Sequence, residues 1–291
     1  MRRTLAALVA FAALPLFAGY HHSGHSVTIN TDDHDLVTQC SQIHVIYDDV
    51  RVPVVEEEVT RVRGLRSLSV TPPKNGGVYV YGTDDSTYSV KACKAVREGD
   101  ANMLTTRLRG NELTADMPDD DVKGVVYFIV RTPRNASLEL ESQNGPLAVR
   151  NFSGTLNAHT QNGPLSLEDV TGSITAEANN GPITFSGRSG VVKLDTHNGP
   201  LSIHLDGTSF DGSLDAHSKN GPLTLHLPSR YRSGVIVDAD GHGPITCRAA
   251  GCHDARRSWD DDESRRIELG SGATVVRLSV GNGPLSIRDS D

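Results

Sequence analysis

Two rows of polar, mostly titratable side chains recur at near-regular spacing along the C-terminal half of this 291-residue chain. Glu141, His159, Glu177, Asp195 and His217 make one row; Arg150, Glu168, Ser186, His204, His226 and Arg288 make the other. Carboxylates beside imidazoles are the equipment of general acid–base chemistry, and a carboxylate pair can cleave a glycosidic bond. The members change type from one position to the next, as solvated faces do, and no constellation departs from its row. No catalytic residue is therefore assigned, and the chain is expected not to be an enzyme; a polysaccharide-acting lyase or hydrolase is the alternative.

Metal and redox chemistry are read the same way. The segment His21 to Asp35 (HHSGHSVTINTDDHD) is rich in His and Asp but lies near a terminus, where histidines have no fixed geometry, so it reads as a linker. Asp119-Asp120-Asp121 and Asp260-Asp261-Asp262 lack the Gly-Gly-x-Gly-x-Asp turns of a calcium-binding roll and read as solvated loops. Neither a metal nor a cofactor is assigned. Four cysteines, Cys40, Cys93, Cys247 and Cys252, are expected to form disulfides in an exported chain, paired Cys40 with Cys93 and Cys247 with Cys252 because each pair shares a region. Cys247 also falls on an inward row, which suits a buried thiol equally, and its spacing from Cys252 matches no zinc site.

What positions these side chains is a tetrapeptide that keeps returning: Asn144-Gly145-Pro146-Leu147, then copies at Asn162, Asn180, Asn198, Asn220 and Asn282, with a worn copy at His242. The first four are 18 residues apart; the next intervals are 22, 22 and 40. A short fixed period is the signature of a solenoid, whose repeats bury apolar faces against their neighbours. Three residues after the asparagine stand Leu147, Leu165, Ile183, Leu201, Leu223, Ile245 and Leu285; five after it stand Val149, Leu167, Phe185, Ile203, Leu225, Cys247 and Ile287. Small polar residues lie between, so each corner opens a strand with one face inside. Six residues before the next corner, Leu138, Leu156, Ile174, Val192, Leu214, Ile236 and Val276 mark a second strand. Gly154, Gly172, Gly190 and Gly212 mark the break between the two, where positive φ is expected.

Two strands and two turns in 18 residues leave no room for a helix, so the predicted fold is all-β: a flattened parallel β-solenoid with 18–22-residue coils and two sheets back to back. The corner asparagines are candidates for a side-chain amide ladder along the axis, with a simple turn preference of Asn-Gly as the competing explanation. Asp238 falls near an inward position, which predicts a one-residue slip or bulge there. The extra residues of the Asn198 coil, at 206–210, should bulge from one edge.

Composition sets the class. Arg2 and Arg3 precede an apolar run from Leu5 to Phe17, so residues 1–19 read as a secretory signal peptide, too short to span a bilayer. Residues 20–35 read as a flexible linker, 36–135 as irregular β-coils, and 136–291 as the regular solenoid, interrupted at 248–272 around Trp259. Gly124 to Val130 (GVVYFIV) predicts a strand buried on both faces. A formal net charge of −8, or −10 without the signal, argues against nucleic-acid and acidic-lipid partners. No transmembrane segment is expected in the mature chain.

The Asn-Gly-Pro-Leu/Ile coils, preceded by GGVYVYG, VKACKA and VVYFIVRTP, resemble the bacterial family of exported β-strand-repeat proteins known as candidate adhesins, with a domain of unknown function. The resemblance covers roughly residues 65–291 and implies a right-handed parallel β-helix in the cell envelope, periplasmic or on the surface. It brings no catalytic residues. The expected partner is a protein or glycan ligand on the Ser/Thr-lined sheet faces. Self-association through the final coil is a further expectation, since only charges such as Arg288, Asp289 and Asp291 would guard its edge.

Overall fold

The computed structural model describes residues 27–31, 37–117, 124–240, 243–259 and 265–290, and these contain strands and three short 3-10 turns but no α-helix. The alternation of aliphatic and polar residues, with glycine or proline at each corner, permits little else. Two large sheets carry most of the chain, one of eleven strands and one of twelve. Strands of successive repeats lie side by side, parallel and in register, 18 residues apart through the regular part: Leu147 against Leu165 and Ile183 in one sheet, Leu156 against Ile174 and Val192 in the other. Both sheets are open.

The inward rows of the two sheets meet in one core. Leu138, Leu156, Ile174, Val192, Leu214 and Val276 supply one buried row; Val149, Leu167, Phe185, Ile203, Leu225 and Ile287 supply the facing one. Ser142, Thr160, Thr196 and Ser218, two residues before a corner, are also buried. Their hydroxyls bond the corner backbone: Gly163 N–H donates to Thr160 Oγ1 at 3.0 Å, and Thr196 Oγ1 donates to Gly181 O at 3.2 Å. A buried hydroxyl so satisfied costs little, and it fixes the turn from inside.

The corner glycines serve a purpose other than a left-handed bend. Gly163, Gly181, Gly199 and Gly221 do not adopt positive φ, whereas Gly172, Gly190 and Gly212 at the second turn do; Gly154, expected to join them, does not. A Cβ on Gly181 would stand 2.2 Å from the carbonyl oxygen of Gly163, and one on Gly199 equally close to that of Gly181. Backbone stacked on backbone at that separation leaves no room for a side chain.

The N-terminal half joins the same sheets. Ser67–Thr71 continues the twelve-stranded sheet beside Ser137–Ser142, and Val78–Thr83 continues the other beside Leu147–Phe152. In the strand Gly124–Pro133 the stretch 124–130 is buried on both faces for a reason the sequence does not disclose: a third layer covers it. Val27–Thr31, Ile43–Tyr47 and Val50–Val52 form a small antiparallel sheet, and Val37, Ile43, Val45 and Tyr47 pack on the outward side of Tyr79, Val125, Tyr127 and Ile129. Cys40 is bonded to Cys93 across this contact. The stretch expected to be a linker through residue 35 thus contributes a strand, because its Val27–Thr31 backbone completes the small sheet. The signal segment and the acidic triplets at 119–121 and 260–262 lie outside the described residues.

At the C-terminal end the order of strands departs from the order of the chain. Thr274–Asn282 lies between Asp211–Asn220 and Gly234–Ala239, and Leu285–Asp289 lies between Leu223–Leu227 and Ile245–Cys247. The last repeat is therefore inserted into the stack, with neighbours on both sides, and has no free edge. Self-association through an exposed final coil is corrected accordingly. The anticipated slip is present as a register shift at Gly234/Val235, which turns Val235, Val237 and Ala239 inward and Ile236 and Asp238 outward. Residues 248–272 fold back as the antiparallel pair Arg256–Trp259 and Arg265–Leu269, burying Ile267 and Leu269 in the main core. Cys247 is bonded to Cys252 in the adjoining 3-10 turn, so its inward position and its disulfide coexist.

Candidate functional site

The outward face of the twelve-stranded sheet brings the first titratable row together. Glu141, His159, Glu177, Asp195, His217 and Ser279 follow one another in register across six neighbouring strands. A strand's side-chain period of two puts a second row on the same face: Gln143, Gln161, Asn179, His197 and Lys219. The members of this second row differ in type, so only their constant place, one residue before each corner asparagine, marks it in the sequence. Asn179 Nδ2 donates to Gln161 Oε1 at 2.7 Å, and His217 Nδ1 contacts Ser279 Oγ at 2.8 Å. Two hollows lie along the rows. One of about 370 Å³ is bordered by Pro72, Lys74, Glu141, His159 and Gln161, and one of about 320 Å³ by Glu177, Asp195, His197 and His217.

Beside these rows runs the asparagine corner. Asn144 Nδ2 donates to Asn75 Oδ1 at 2.8 Å, and the same bond repeats from Asn162 to Asn144 at 2.8 Å, Asn180 to Asn162 at 3.0 Å, Asn198 to Asn180 at 3.0 Å, Asn220 to Asn198 at 3.1 Å and Asn282 to Asn220 at 3.1 Å. Asn75, whose copy of the turn lacks proline, thus takes the first position of the line. His242 of the worn copy lies outside the described residues.

The second titratable row occupies the other sheet and breaks into separate contacts. Arg150 and Glu168 form an ion pair. His204 and His226 stack, ring centroids 4.1 Å apart and 7° from parallel, with Ser202 Oγ 3.1 Å from His204 Nε2. Burial first, and the neighbouring His226 second, hold the His204 imidazole below its ordinary pKa, against an upward pull from Asp206. Arg288 lies beyond His226 in register and donates to its own neighbour Ser286. The small polar row between, Ser166, Thr184, Ser202, Thr224 and Ser286, remains uncovered; at its N-terminal end Ala148 is sealed by the third layer.

Among the described residues no helix is long and apolar enough to cross a membrane. The two disulfides fit an oxidising compartment. No protein-family model and no curated protein matches the chain. Several solved structures resemble it. A candidate cell adhesion protein from Clostridium sporogenes shares 10% identity over 82% of this chain and 100% of its own, at a TM-score of 0.33. A candidate adhesin from Bacteroides fragilis shares 10% over 82% and 97%, at 0.38. A candidate lipid binding protein from Parabacteroides distasonis shares 11% over 82% and 97%, also at 0.38.

Proposed function

We propose that the two sheets are the walls of one right-handed parallel β-solenoid, exported to the bacterial envelope after loss of residues 1–19, and that it acts as a non-enzymatic, adhesin-like module holding a protein or glycan ligand. The observation that carries this reading is the outward face of the twelve-stranded sheet. Its in-register rows from Glu141 to Ser279 and from Gln143 to Lys219 form one continuous open flank with two shallow hollows. Such a surface suits an extended ligand gripped at many weak points, as polar side chains spaced about 4.8 Å apart across strands would grip one. The paired cysteines and the signal-like N-terminus support export.

The test uses the mature chain on immobilised glycans and on fractionated envelope proteins, with Glu141→Ala plus His159→Ala as the altered flank. Binding weakened by that pair supports the reading. Turnover of an acidic glycan that Glu168→Ala or His204→Ala abolishes replaces it with the enzyme.

A further inference from the structure

The eleven-stranded sheet carries a row whose charge is unbalanced. On its outward face Ser186, His204, His226 and Arg288 follow one another on successive strands. Arg248 extends the row past Arg288: it stands six residues after His242, as His226 stands six after Asn220, and its backbone N–H donates to Ile287 O at 2.8 Å. Neighbouring strands lie about 4.8 Å apart, so two arginines and a stacked imidazole pair start from one line. Among the described residues Arg248 has no ion-pair partner, and the Arg288 guanidinium donates only to uncharged Ser286. Apart from the contact of Ser202 with His204 Nε2, the ring nitrogens of the two histidines make no hydrogen bond among the described residues. The nearby acids are engaged or at the margin. Glu168 pairs with Arg150, Asp289 accepts from the Ala250 N–H at 2.9 Å, and Asp206 lies just past the end of the His204 strand.

We infer that His204, His226, Arg288 and Arg248 form a binding row for an acidic polysaccharide that lies across the strands. A guanidinium fork takes a carboxylate by two parallel bonds, and an imidazole N–H donates to another. Beside the row run the hydroxyls of Ser202, Thr224 and Ser286, which suit those of a sugar. The charge pattern favours a thin chain over a membrane. The basic strip is one residue wide, it is bounded by Glu168 and Asp206, and the formal net charge of −8 repels a broad anionic plane. An extended chain of pyranose rings advances by roughly one strand spacing per sugar, so successive carboxylates can meet successive strands. Burial first, and His226 second, keep His204 uncharged at neutral pH in the free chain, and an arriving carboxylate favours its charged form. Binding therefore takes up a proton and strengthens as pH falls. The row faces away from the flank and holds or fails independently of it.

The test is binding of the full mature chain to immobilised polygalacturonate, with neutral dextran and phosphatidylglycerol vesicles alongside. Wild type should hold polygalacturonate and not dextran, leave its length unchanged, and release it as salt rises. It should bind more tightly at about pH 5 than at about pH 7.5. Arg248→Ser plus Arg288→Ser should weaken binding by about tenfold or more. Arg109→Ser, an exposed arginine in the far edge strand of the other sheet, should not, nor should Glu141→Ala plus His159→Ala on the flank. The arginine variants should unfold at the wild-type urea midpoint, since all three side chains are exposed. No binding by wild type overturns the row, as does wild-type affinity in the double arginine variant or affinity that stays flat as pH falls. Vesicles held as tightly as polygalacturonate would replace the polysaccharide with a membrane, and shortened polygalacturonate would replace binding with catalysis.

Discussion

Asn180→Ala measures whether the corner asparagines hold the stack together or only favour the turn. Asn180 donates to Asn162 at 3.0 Å and accepts from Asn198 at 3.0 Å, so alanine deletes two amide bonds. Each contributes about 0.5–1.5 kcal/mol net, and because the partners are exposed they turn to water and carry no burial penalty. The expected loss is therefore about 1–3 kcal/mol. For a chain of this size, with a urea slope of roughly 3 kcal/mol/M, the unfolding midpoint should fall by about 0.3–1 M. Asn180→Asp separates the two explanations. Aspartate is as good a turn residue as asparagine, but it has no N–H for Asn162 and sets a carboxylate oxygen against the Asn162 amide oxygen. In a ladder the aspartate substitution keeps the bond from Asn198 but loses the donation to Asn162 and sets two oxygens against each other, so it destabilises measurably; in a mere turn it costs nothing. Urea unfolding followed by circular dichroism decides between them. An aspartate variant as stable as wild type would refute the ladder's contribution, however well its geometry is formed.

Gly181→Ala should be far worse than either, losing more than about 3 kcal/mol or failing to fold, because its Cβ would meet the Gly163 carbonyl at 2.2 Å; recovery of soluble protein and its unfolding midpoint measure this. Stability should fall as pH drops through the range below the ordinary histidine value. The unfolded chain takes up a proton that half-buried His204, stacked on His226, resists, so the stability present above the unfolded pKa is lost as pH falls through the folded one. His204→Gln should flatten that slope in acid unfolding curves. Reduction of Cys40–Cys93, which closes 53 residues, should cost about 4 kcal/mol in the chain-entropy picture, against about 2 kcal/mol for Cys247–Cys252, which closes 5; single cysteine-pair replacements and urea unfolding compare them. Tyr47, Tyr79 and Tyr231 phenols, pushed up to about 12 by burial, should stay un-ionised well past the ordinary tyrosine value in an alkaline absorbance titration and release protons when the fold opens.

The regular half was legible because one interval repeats: eighteen residues fixed the register before any coordinate did, and Leu156, Ile174 and Val192 fall into line as that interval requires. What the interval cannot carry is any contact between distant segments. The apolar run from Gly124 to Val130 predicts burial on both faces but does not say what covers the outward side of Val125, Tyr127 and Ile129; residues 37–52, some 80 positions upstream, supply that cover. The corner glycines illustrate a different limit. Glycine in a turn suggests positive φ, whereas here the constraint comes from the repeat stacked below, a neighbour the local sequence does not reveal. The acidic and imidazole groups on the flank were visible singly, but the meeting of His197 with Glu177 and Asp195 depends on which residues share a face across strands 18 residues apart.

The inserted last repeat bears on how a stack of parallel strands ends. A growing stack exposes unpaired backbone at each new strand, and an open parallel edge is a template for another chain. Here the chain leaves a slot after Leu227, builds an outer repeat from Gly234–Ala239 and Ile245–Cys247, and fills the slot with residues 274–289. The outer strands are then short, as Ile245–Cys247 is, or covered by the antiparallel pair at 256–269. At the other end Val55–Arg63 turns Glu57 toward buried Lys94, and Glu57 accepts a hydrogen bond from Thr106, in the edge strand of the opposite sheet, at 2.8 Å. Val55–Arg63 itself is bulged between Glu58 and Thr60, which spoils it as a template. Both ends are thus closed by charge, bulge or reversed strands, and the in-register polar flank lies between them.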